Sequence, residues 1–369
     1  MPLQIPAHLL PRDGRFGCGP AKVRGEALDG LATRGRMLMG TSHRQPPVRE
    51  LVGRVRAGLA RLYDLPDGYE VILGNGGSTL FWDAASFCLV QRAASVGVFG
   101  EFGAKFSSVL ARAPWLAAPV VTEVAPGSAT LPLPATDADA YAWPHNETST
   151  GATAPVHRID RAAAGALVLV DATSAAGAIP VDVSATDAYY FAPQKALASD
   201  GGLWLAFLSP AAIERARRLA SKRWVPDSLN LALAIENSRA DQTLNTPALA
   251  TLFLIGEQVE WLLASGGLAY AARRTHASAS TLYAWADASS LAAPFVEEPF
   301  RSPVVGTIDF RSEVDAAALA STLRANGILD VEPYRKLGRN QLRVGMFPAV
   351  DPADVEALVA CIDWVLERR

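Results

Sequence analysis

The chain has 369 residues, of which 50% are hydrophobic, and a formal net charge of −3. This length allows one large domain with a smaller one, and the hydrophobic content suffices for a sizeable core. The weak net charge argues against nucleic acid or an anionic membrane as a partner. Cys18, Cys88 and Cys361 are far apart and form no CxxC pair, which argues against disulfides or a metal site. With no signal peptide or membrane span predicted, a cytoplasmic location is expected.

The middle of the chain alternates between strand-like and helical patterns. Apolar runs of strand length lie at residues 70–73, 94–99, 120–124, 166–170, 188–192 and 203–208. A helical pattern over residues 80–89 follows the first run. Near-continuous apolar runs separated by helices favour a large, mostly parallel sheet that is covered on both faces.

The C-terminal part has a different pattern. Helices are predicted over residues 247–264, 268–287, 314–325 and 352–367, and strands over residues 304–310 and 341–345. The first of these strands alternates as a half-exposed strand does. The sequence therefore predicts a smaller α+β domain here, with a boundary near residue 265.

Lys195 is one of only five lysines in the chain, and it follows the apolar run of residues 188–192. Asp171 ends another apolar run about two dozen residues upstream. An amine and a carboxylate at two strand ends suit pyridoxal phosphate, whose aldehyde and pyridine nitrogen need those two groups. A structural ion pair is the alternative.

Small residues at positions 74–79 separate the first strand from the helix that follows it. Backbone N–H groups at a helix N-terminus can bind a phosphate, and Ser78 and Thr79 would add hydroxyl donors. The Gly-Lys-[Ser/Thr] ending of a Walker A loop is absent. A plain structural turn is the alternative.

Two further residues could contact a planar cofactor. Phe102 follows the second strand and could stack on a ring, although an aromatic residue there is also suited to the core. Thr148 lies in the polar loop of residues 143–151, where its hydroxyl could reach a phenolate oxygen. Asparagine and threonine are also common in loops without any functional role.

Basic residues occur in two places that suit anion binding. His43 and Arg44 adjoin near the N-terminus, where a solvated helix cap is the alternative. Arg335 and Lys336 precede Arg343, which lies on a predicted strand and would suit a substrate carboxylate. Asn245 and Thr246 lie at the start of a long predicted helix, and a helix cap is their simplest interpretation.

As a set, these motifs resemble the phosphoserine aminotransferase family of fold-type-I, class V pyridoxal-phosphate enzymes. The matching motifs occur in family order and are residues 19–21, 42–44, 76–79, 146–148, 171–174, 194–195 and 245–247. The resemblance implies an α/β fold with a seven-stranded type of sheet, a large domain of residues 16–264, and a small domain of residues 1–15 and 265–369. It also implies a homodimer.

The resemblance assigns the cofactor contacts residue by residue. Lys195 would bond to the cofactor aldehyde, and Asp171 would pair with the pyridinium nitrogen. Thr148 would contact the phenolic oxygen, and Phe102 would stack on the ring. The implied phosphate ligands are Ser78, Thr79 and Gln194, joined by Asn245 and Thr246 from the partner subunit. Much of the family has Gly-Arg in place of Ser78-Thr79, so hydroxyls would bind the phosphate here.

The implied reaction is transamination between L-glutamate and 3-phosphohydroxypyruvate, within serine and pyridoxine biosynthesis. His43 and Arg44 would bind the substrate phosphate, with Arg335 and Lys336 as further candidates, and Arg343 would bind the α-carboxylate. Many relatives have His-Arg near the position of Arg335 and Lys336. The alternatives are an alanine–glyoxylate-type aminotransferase, a cysteine desulfurase, and a cofactor-binding regulator without turnover.

Overall fold

The computed structural model describes residues 3–368. The α-helices in this part of the chain are α1 (Gly25–Thr33), α2 (Pro46–Leu62), α3 (Ser78–Cys88), α4 (Glu101–Arg112), α5 (Pro210–Lys222), α6 (Leu231–Arg239), α7 (Leu249–Ser265), α8 (Gly267–Ala288), α9 (Ala316–Ala325) and α10 (Pro352–Leu366). The strands are β1 (Glu70–Asn75), β2 (Ala94–Val98), β3 (Val120–Glu123), β4 (Ala140–Pro144), β5 (Asn146–Glu147), β6 (Ala152–Thr153), β7 (Leu167–Asp171), β8 (Ala188–Phe191), β9 (Leu203–Leu208), β10 (Ala292–Pro294), β11 (Val305–Phe310) and β12 (Gln341–Gly345). Within these residues, no helix combines the length and the hydropathy needed to cross a membrane.

The large sheet has seven strands in the order β1-β9-β8-β7-β4-β2-β3. In this sheet, as far as the structure describes it, neighbours from β3 to β8 are parallel, and β9 pairs antiparallel with both of its neighbours, β1 and β8. The inner strands are buried along their whole length, and separate hydrophobic clusters pack on the two faces. Burial on both faces explains the continuous apolar runs, and the predicted mostly parallel sheet is confirmed.

Strand β4 lies near the middle of this sheet but was not among the predicted strands. It pairs with β2 on one side and with β7 on the other, and all five of its residues are buried. Its sequence is short and ends in Pro144, and a proline weakens the pattern of a central strand.

The small sheet has three antiparallel strands in the order β10-β11-β12. Its hydrophobic core joins Ile5 and Phe16 to residues from α8, α9 and α10. Gly266 separates α7 from α8 with a left-handed φ of 113°, which breaks the helical path there. We propose the division into residues 16–264 and residues 1–15 with 265–369, with Phe16 at the boundary packing into the small-sheet core. Residues 1, 2 and 369 lie outside the described residues.

Candidate active site

Three adjacent parallel strands bring polar residues to one edge of the large sheet. These strands are β4, β7 and β8. Asp171 is the last residue of β7, Lys195 lies in the turn after β8, and Thr148 lies in the loop after β4. Ligands of open α/β sheets bind outside the carboxyl ends of the strands, so this edge is where a site is expected.

A cavity of about 300 Å³ opens at this edge. Its volume suits a cofactor or a small substrate. Polar side chains line one part of the wall, and aromatic side chains line another; the aromatic ones are Trp82, Phe102 and Tyr334. The small sheet contributes Arg343, so residues from both sheets surround the same space.

The Asp171 carboxylate is buried and held by three donors. Oδ1 accepts hydrogen bonds from the backbone N–H of Thr173, at 2.9 Å, and from its hydroxyl. Oδ2 accepts one from the indole Nε1 of Trp82 at 3.2 Å. Burial raises the pKa of the Asp171 carboxyl, and the bonds from Thr173 and Trp82 counteract that rise because they favour the ionised form.

The Lys195 amine is buried at the floor of the cavity. Its Nζ donates to Thr148 Oγ1 at 2.7 Å, and the Thr148 hydroxyl donates to Ser174 Oγ at 2.8 Å. Burial lowers the Lys195 pKa from 10.5 to about 8, while the negative charges of Asp171 and Glu147 act in the opposite direction. An amine with such a pKa can lose its proton near neutral pH and act as a nucleophile or base.

Helix α3 points its N-terminus at the cavity. Gly76 takes a left-handed φ of 112°, and Gly77, which has no side chain to cap the helix, precedes its first turn. Ser78 and Thr79 both line the cavity. The first N–H groups of an α-helix have no intrahelical acceptor and can bind an anion such as a phosphate.

Phe102 forms part of the wall above Lys195. Its ring centroid lies 5.2 Å from the Lys195 Nζ. The position is fixed by Glu147, whose Oε2 accepts the backbone N–H groups of Phe102 at 3.0 Å and Gly103 at 3.1 Å. Glu147 thereby supplies the N-terminal acceptor that Gly100, the residue before α4, lacks a side chain to provide.

Arg343 closes the cavity from the small sheet. Its Nη1 donates to the backbone oxygen of Thr148 at 3.0 Å, and its guanidinium carbon lies 5.3 Å from the Tyr334 ring centroid. Its Nε is buried without a hydrogen-bond partner in residues 3–368. A buried unpaired donor costs free energy, so this group is suited to an anionic ligand.

Comparisons with known proteins agree with this geometry. The family described as aminotransferase class-V matches residues 134–331. A putative phosphoserine aminotransferase of Mycolicibacterium vanbaalenii is 61% identical over 368 residues, which cover 99% of each chain. The chain belongs to the class-V aminotransferase family. A phosphoserine aminotransferase of a Nocardioides species is 58% identical over 369 residues, again covering 99% of each chain. The predicted resemblance to phosphoserine aminotransferases is confirmed.

Solved structures show the same fold. A phosphoserine aminotransferase from Cytophaga hutchinsonii superposes with a TM-score of 0.86 at 22% identity, covering 95% of this chain and 99% of that one. A pyridoxal-phosphate-bound phosphoserine aminotransferase from Trichomonas vaginalis gives 0.80 at 18% identity, covering 95% and 100%. The predicted fold-type-I architecture is therefore confirmed, as are the predictions of an aminotransferase and of pyridoxal phosphate as its cofactor.

The fold of this aminotransferase brings most of the predicted site residues to the same cavity. They are Ser78, Thr79, Phe102, Thr148, Asp171, Gln194, Lys195 and Arg343. Several buried polar atoms at the cavity have no partner among the described residues, including Gln194 Oε1 and Asn146 Oδ1. The Lys195 amine, the Asp171 carboxylate and the open helix N-terminus fit the aldehyde, pyridine nitrogen and phosphate of the cofactor, whereas the unpaired amide oxygens can accept a hydrogen bond from a donor of a bound ligand.

Four predicted site residues form a separate cluster. The His43 Nδ1 and Thr246 Oγ1 lie 3.1 Å apart, and Asn75 bonds to the backbone of both Asn245 and Thr246. Arg44, next to His43 in the chain, is exposed. None of these four predicted residues is among those that line the Lys195 cavity in the part of the chain described.

The remaining two predicted residues lie at the surface near the cavity mouth. Lys336 forms an ion pair with Glu101 at the start of α4. Arg335 is exposed, and its neighbour Tyr334 lines the cavity. Their predicted role in binding the substrate phosphate stays a prediction.

Several residues that contact the site were not predicted to belong to it. Thr173 and Ser174 stand directly after Asp171, so the motif already contained them. Trp82 is four residues after Ser78 on α3, and this spacing places two side chains on the same helix face. Tyr334 directly precedes the predicted Arg335 and Lys336, but its ring at the cavity wall follows only from the fold.

Proposed function

We propose that this protein is a phosphoserine aminotransferase. It transfers the amino group of L-glutamate to 3-phosphohydroxypyruvate and forms 2-oxoglutarate and O-phospho-L-serine for serine biosynthesis. The observation that carries the proposal is the convergence of Lys195, Asp171 and Arg343 on one cavity in a chain 58% identical to a phosphoserine aminotransferase. We place the reaction in the cytoplasm.

Lys195 and Asp171 divide the chemistry between them. When bound, pyridoxal phosphate supplies a protonated ring that accepts electrons from the substrate's Cα–H bond. Asp171 would pair with the ring nitrogen, because a buried carboxylate favours a cationic partner. Lys195 would hold the cofactor at its aldehyde, and its Nζ is the base that would take the proton from the substrate's Cα. The hydroxyl of Thr148 orients that Nζ.

Arg343 decides which bond of the substrate reacts. Its guanidinium carries the unpaired buried Nε and is held by the Thr148 carbonyl and the Tyr334 ring. A bidentate pair with the substrate α-carboxylate would fix the orientation of Cα relative to Lys195. Binding energy at the carboxylate thereby places the Cα–H bond for proton transfer.

A homodimer would bring the second cluster to the cavity of the partner subunit. Asn245 and Thr246 would complete the cofactor-phosphate site there, and the contact between Thr246 and His43 carries His43 and Arg44 to the same place. Large apolar side chains are exposed on the single chain, notably Met37 and Trp224, each 81% exposed. Such side chains are suited to burial in a subunit interface.

Substrate phosphate binding would then draw on both subunits. His43 and Arg44 would reach it from one subunit, and Arg335 and Lys336 stand at the cavity mouth of the other. Lys336 would have to exchange its contact with Glu101 for the substrate. The same basic groups would bind the side-chain carboxylate of glutamate in the first half of the reaction.

The rival functions are not favoured. Relatives at 58–61% identity are named phosphoserine aminotransferases. A cysteine desulfurase needs a reactive thiolate, whereas burial raises the pKa of the Cys18 thiol, which faces the cavity. The likeness to an alanine–glyoxylate aminotransferase from a Nostoc species, at 20% identity, concerns the fold alone.

The proposal is tested by assaying glutamate-dependent conversion of 3-phosphohydroxypyruvate by the purified protein and by Lys195→Ala. We expect turnover by the wild type, loss of at least about a thousandfold in the variant, and borohydride trapping of the cofactor on Lys195. Full turnover by Lys195→Ala would contradict the assignment. Thermal unfolding of both proteins checks that the variant is folded.

A further inference from the structure

Trp82 and Thr173 surround the Asp171 carboxylate with hydrogen-bond donors. Trp82 is 2% exposed, and its ring stacks on Phe106 with the centroids 6.1 Å apart. This packing fixes the direction of the indole N–H that reaches Asp171 Oδ2. Thr173 follows Asp171 by two residues and bonds to Oδ1 through both its backbone and its side chain.

The hydroxyls of Ser78 and Thr173 form a chain of hydrogen bonds that ends at the Asp171 carboxylate. A hydroxyl has one proton, and that of Thr173 is given to Asp171. The contact of 2.6 Å between Ser78 Oγ and Thr173 Oγ1 must therefore use the proton of Ser78. Ser78 thus donates to Thr173, which donates to Asp171, and this chain joins the start of helix α3 to the carboxylate. With its hydroxyl proton used in this way, Ser78 has its backbone N–H left for the cofactor phosphate.

One acceptor position of the carboxylate remains. An ionised carboxylate has about four acceptor positions. Thr173 uses two on Oδ1 and Trp82 uses one on Oδ2. Tyr190 pairs with Asp171 across β7 and β8, and its buried hydroxyl makes no hydrogen bond within residues 3–368. Since no fourth donor from the described residues bonds to the carboxylate and Asp171 lines the cavity, a position on Oδ2 is available to a ligand.

We propose that Trp82 and Thr173 are positioning residues that fix the Asp171 carboxylate so that its free Oδ2 position receives the pyridinium N–H of the cofactor. This inference rests on the proposed role of Asp171. The two residues favour the ionised form of the carboxylate and fix its orientation, and neither needs to contact the reacting atoms. The bond from Ser78 couples this orientation to the helix end that faces the cofactor phosphate.

Binding of two ligands is compared to distinguish this positioning role from an effect of packing alone. Pyridoxal phosphate is compared with its 1-deaza analogue, in which a CH group replaces the ring nitrogen and cannot bond to Asp171. Binding of each to the cofactor-free full-length chain is followed by absorbance. The variants are Trp82→Phe, which keeps an aromatic ring against Phe106 but lacks the N–H, and Thr173→Val, with Thr173→Ser to restore the hydroxyl.

We expect the unsubstituted chain to prefer pyridoxal phosphate over the analogue. Trp82→Phe and Thr173→Val should each weaken pyridoxal-phosphate binding about tenfold, since a hydrogen bond to a charged group is lost, and change analogue binding less than about threefold. Thr173→Ser should restore the preference. The pH at which the bound cofactor's absorbance changes should shift in the two deficient variants only.

Two other results would overturn the inference in distinguishable ways. If the unsubstituted chain binds both ligands equally, Asp171 does not pair with the ring nitrogen, and the proposed role of Asp171 fails with the inference. If the preference exists but survives in both deficient variants, or if both ligands weaken equally, Trp82 and Thr173 act only in packing. Thermal unfolding of each cofactor-free variant establishes that it is folded.

Discussion

Lys195 owes its reactivity to where the chain buries it. The residue is 6% exposed, its amine lies 5.2 Å from the centre of the Phe102 ring, and burial lowers its pKa to about 8. A neutral amine attacks an aldehyde and a protonated one does not. The scarce lysine after a strand was recognisable in the sequence, but its pKa depends on the surrounding fold.

This pKa predicts how cofactor uptake varies with pH. The fraction of neutral Lys195 rises about tenfold per pH unit below the pKa and levels off above it. The rate at which the cofactor-free protein takes up pyridoxal phosphate should therefore rise with pH and level off near pH 8. Stopped-flow absorbance measures this rate. A rate that continues to rise to pH 10 would indicate an unshifted lysine.

The lowered pKa of Lys195 also makes the free energy of unfolding depend on pH. Between pH 8 and 10.5 the unfolded chain holds more protons on Lys195 than the folded chain does, because the folded pKa is the lower one. Stability of the cofactor-free protein should therefore increase with pH across this window. Urea unfolding at several pH values tests the sign, with Lys195→Met as the control that should lack this component.

Gly19 makes the close approach that the Lys195 side chain needs. It has a φ of 143°, and a Cβ placed on it would lie 2.8 Å from Lys195 Cε. Gly19→Ala should displace the amine and lower kcat by at least about tenfold, since small misplacements of reacting groups are costly. Gly25→Ala is the matched control, because its Cβ would meet nothing within 4 Å and kcat should stay unchanged.

The first N–H groups of helix α4 bond to two side chains of one loop: Ser149 Oγ accepts that of Glu101, and Glu147 accepts those of Phe102 and Gly103. The carboxylate is fully buried and also accepts the backbone N–H and hydroxyl of Ser149, at 3.1 Å and 2.6 Å. The loop after β4 and the helix that carries Phe102 are thereby joined. A buried acid at that position was not recognisable as a cap from sequence, since the two elements are 45 residues apart.

Glu147→Gln should weaken this junction. An amide presents one acceptor and one donor group where the carboxylate presents two acceptors, so some N–H groups are left unpaired. We expect a loss of about 2 kcal/mol or more in the free energy of unfolding, measured with urea. Glu123→Gln, on the exposed edge strand β3, should change it by less than about 0.5 kcal/mol.

The strands that carry Asp171 and precede Lys195 were predictable from the sequence, whereas some other helices and strands were not. β7 and β8 were predicted because strands buried on both faces read as continuous apolar runs. Helix α2 was not predicted, although its buried residues recur at helical spacing, because arginines interrupt the apolar pattern. Strand β4 was not predicted because it is short and ends in a proline, which is unusual in a central strand.

The whole molecule places residues from both ends of the chain around one cavity. Arg343 reaches Thr148 across 195 positions, and Cys18 and Gly19 enter from the N-terminal side. The chemistry of the separate motifs suggested roles that the family resemblance then assigned, but the distances between the motifs depend on packing between the two sheets. The contributions that we propose for residues of the partner subunit likewise depend on how whole chains assemble.

Subunit exchange tests whether the second cluster acts across the dimer. Lys195→Ala and the double variant Asn245→Ala/Thr246→Ala should each be nearly inactive. If Asn245 and Thr246 serve the partner's cavity, a dimer with one chain of each kind has one intact site. Equal mixing after unfolding and refolding should then recover about a quarter of wild-type activity. No recovery would mean that both residues serve their own subunit or that no dimer forms.

The most direct test of the proposed function compares two amino acceptors. With L-glutamate as donor, kcat/KM is measured for 3-phosphohydroxypyruvate and for hydroxypyruvate, which lacks only the phosphate. A phosphoserine aminotransferase should prefer the phosphorylated acceptor by at least about a hundredfold, since charged hydrogen bonds to a phosphate are strong. Equal kcat/KM values for the two acceptors would contradict the proposed function.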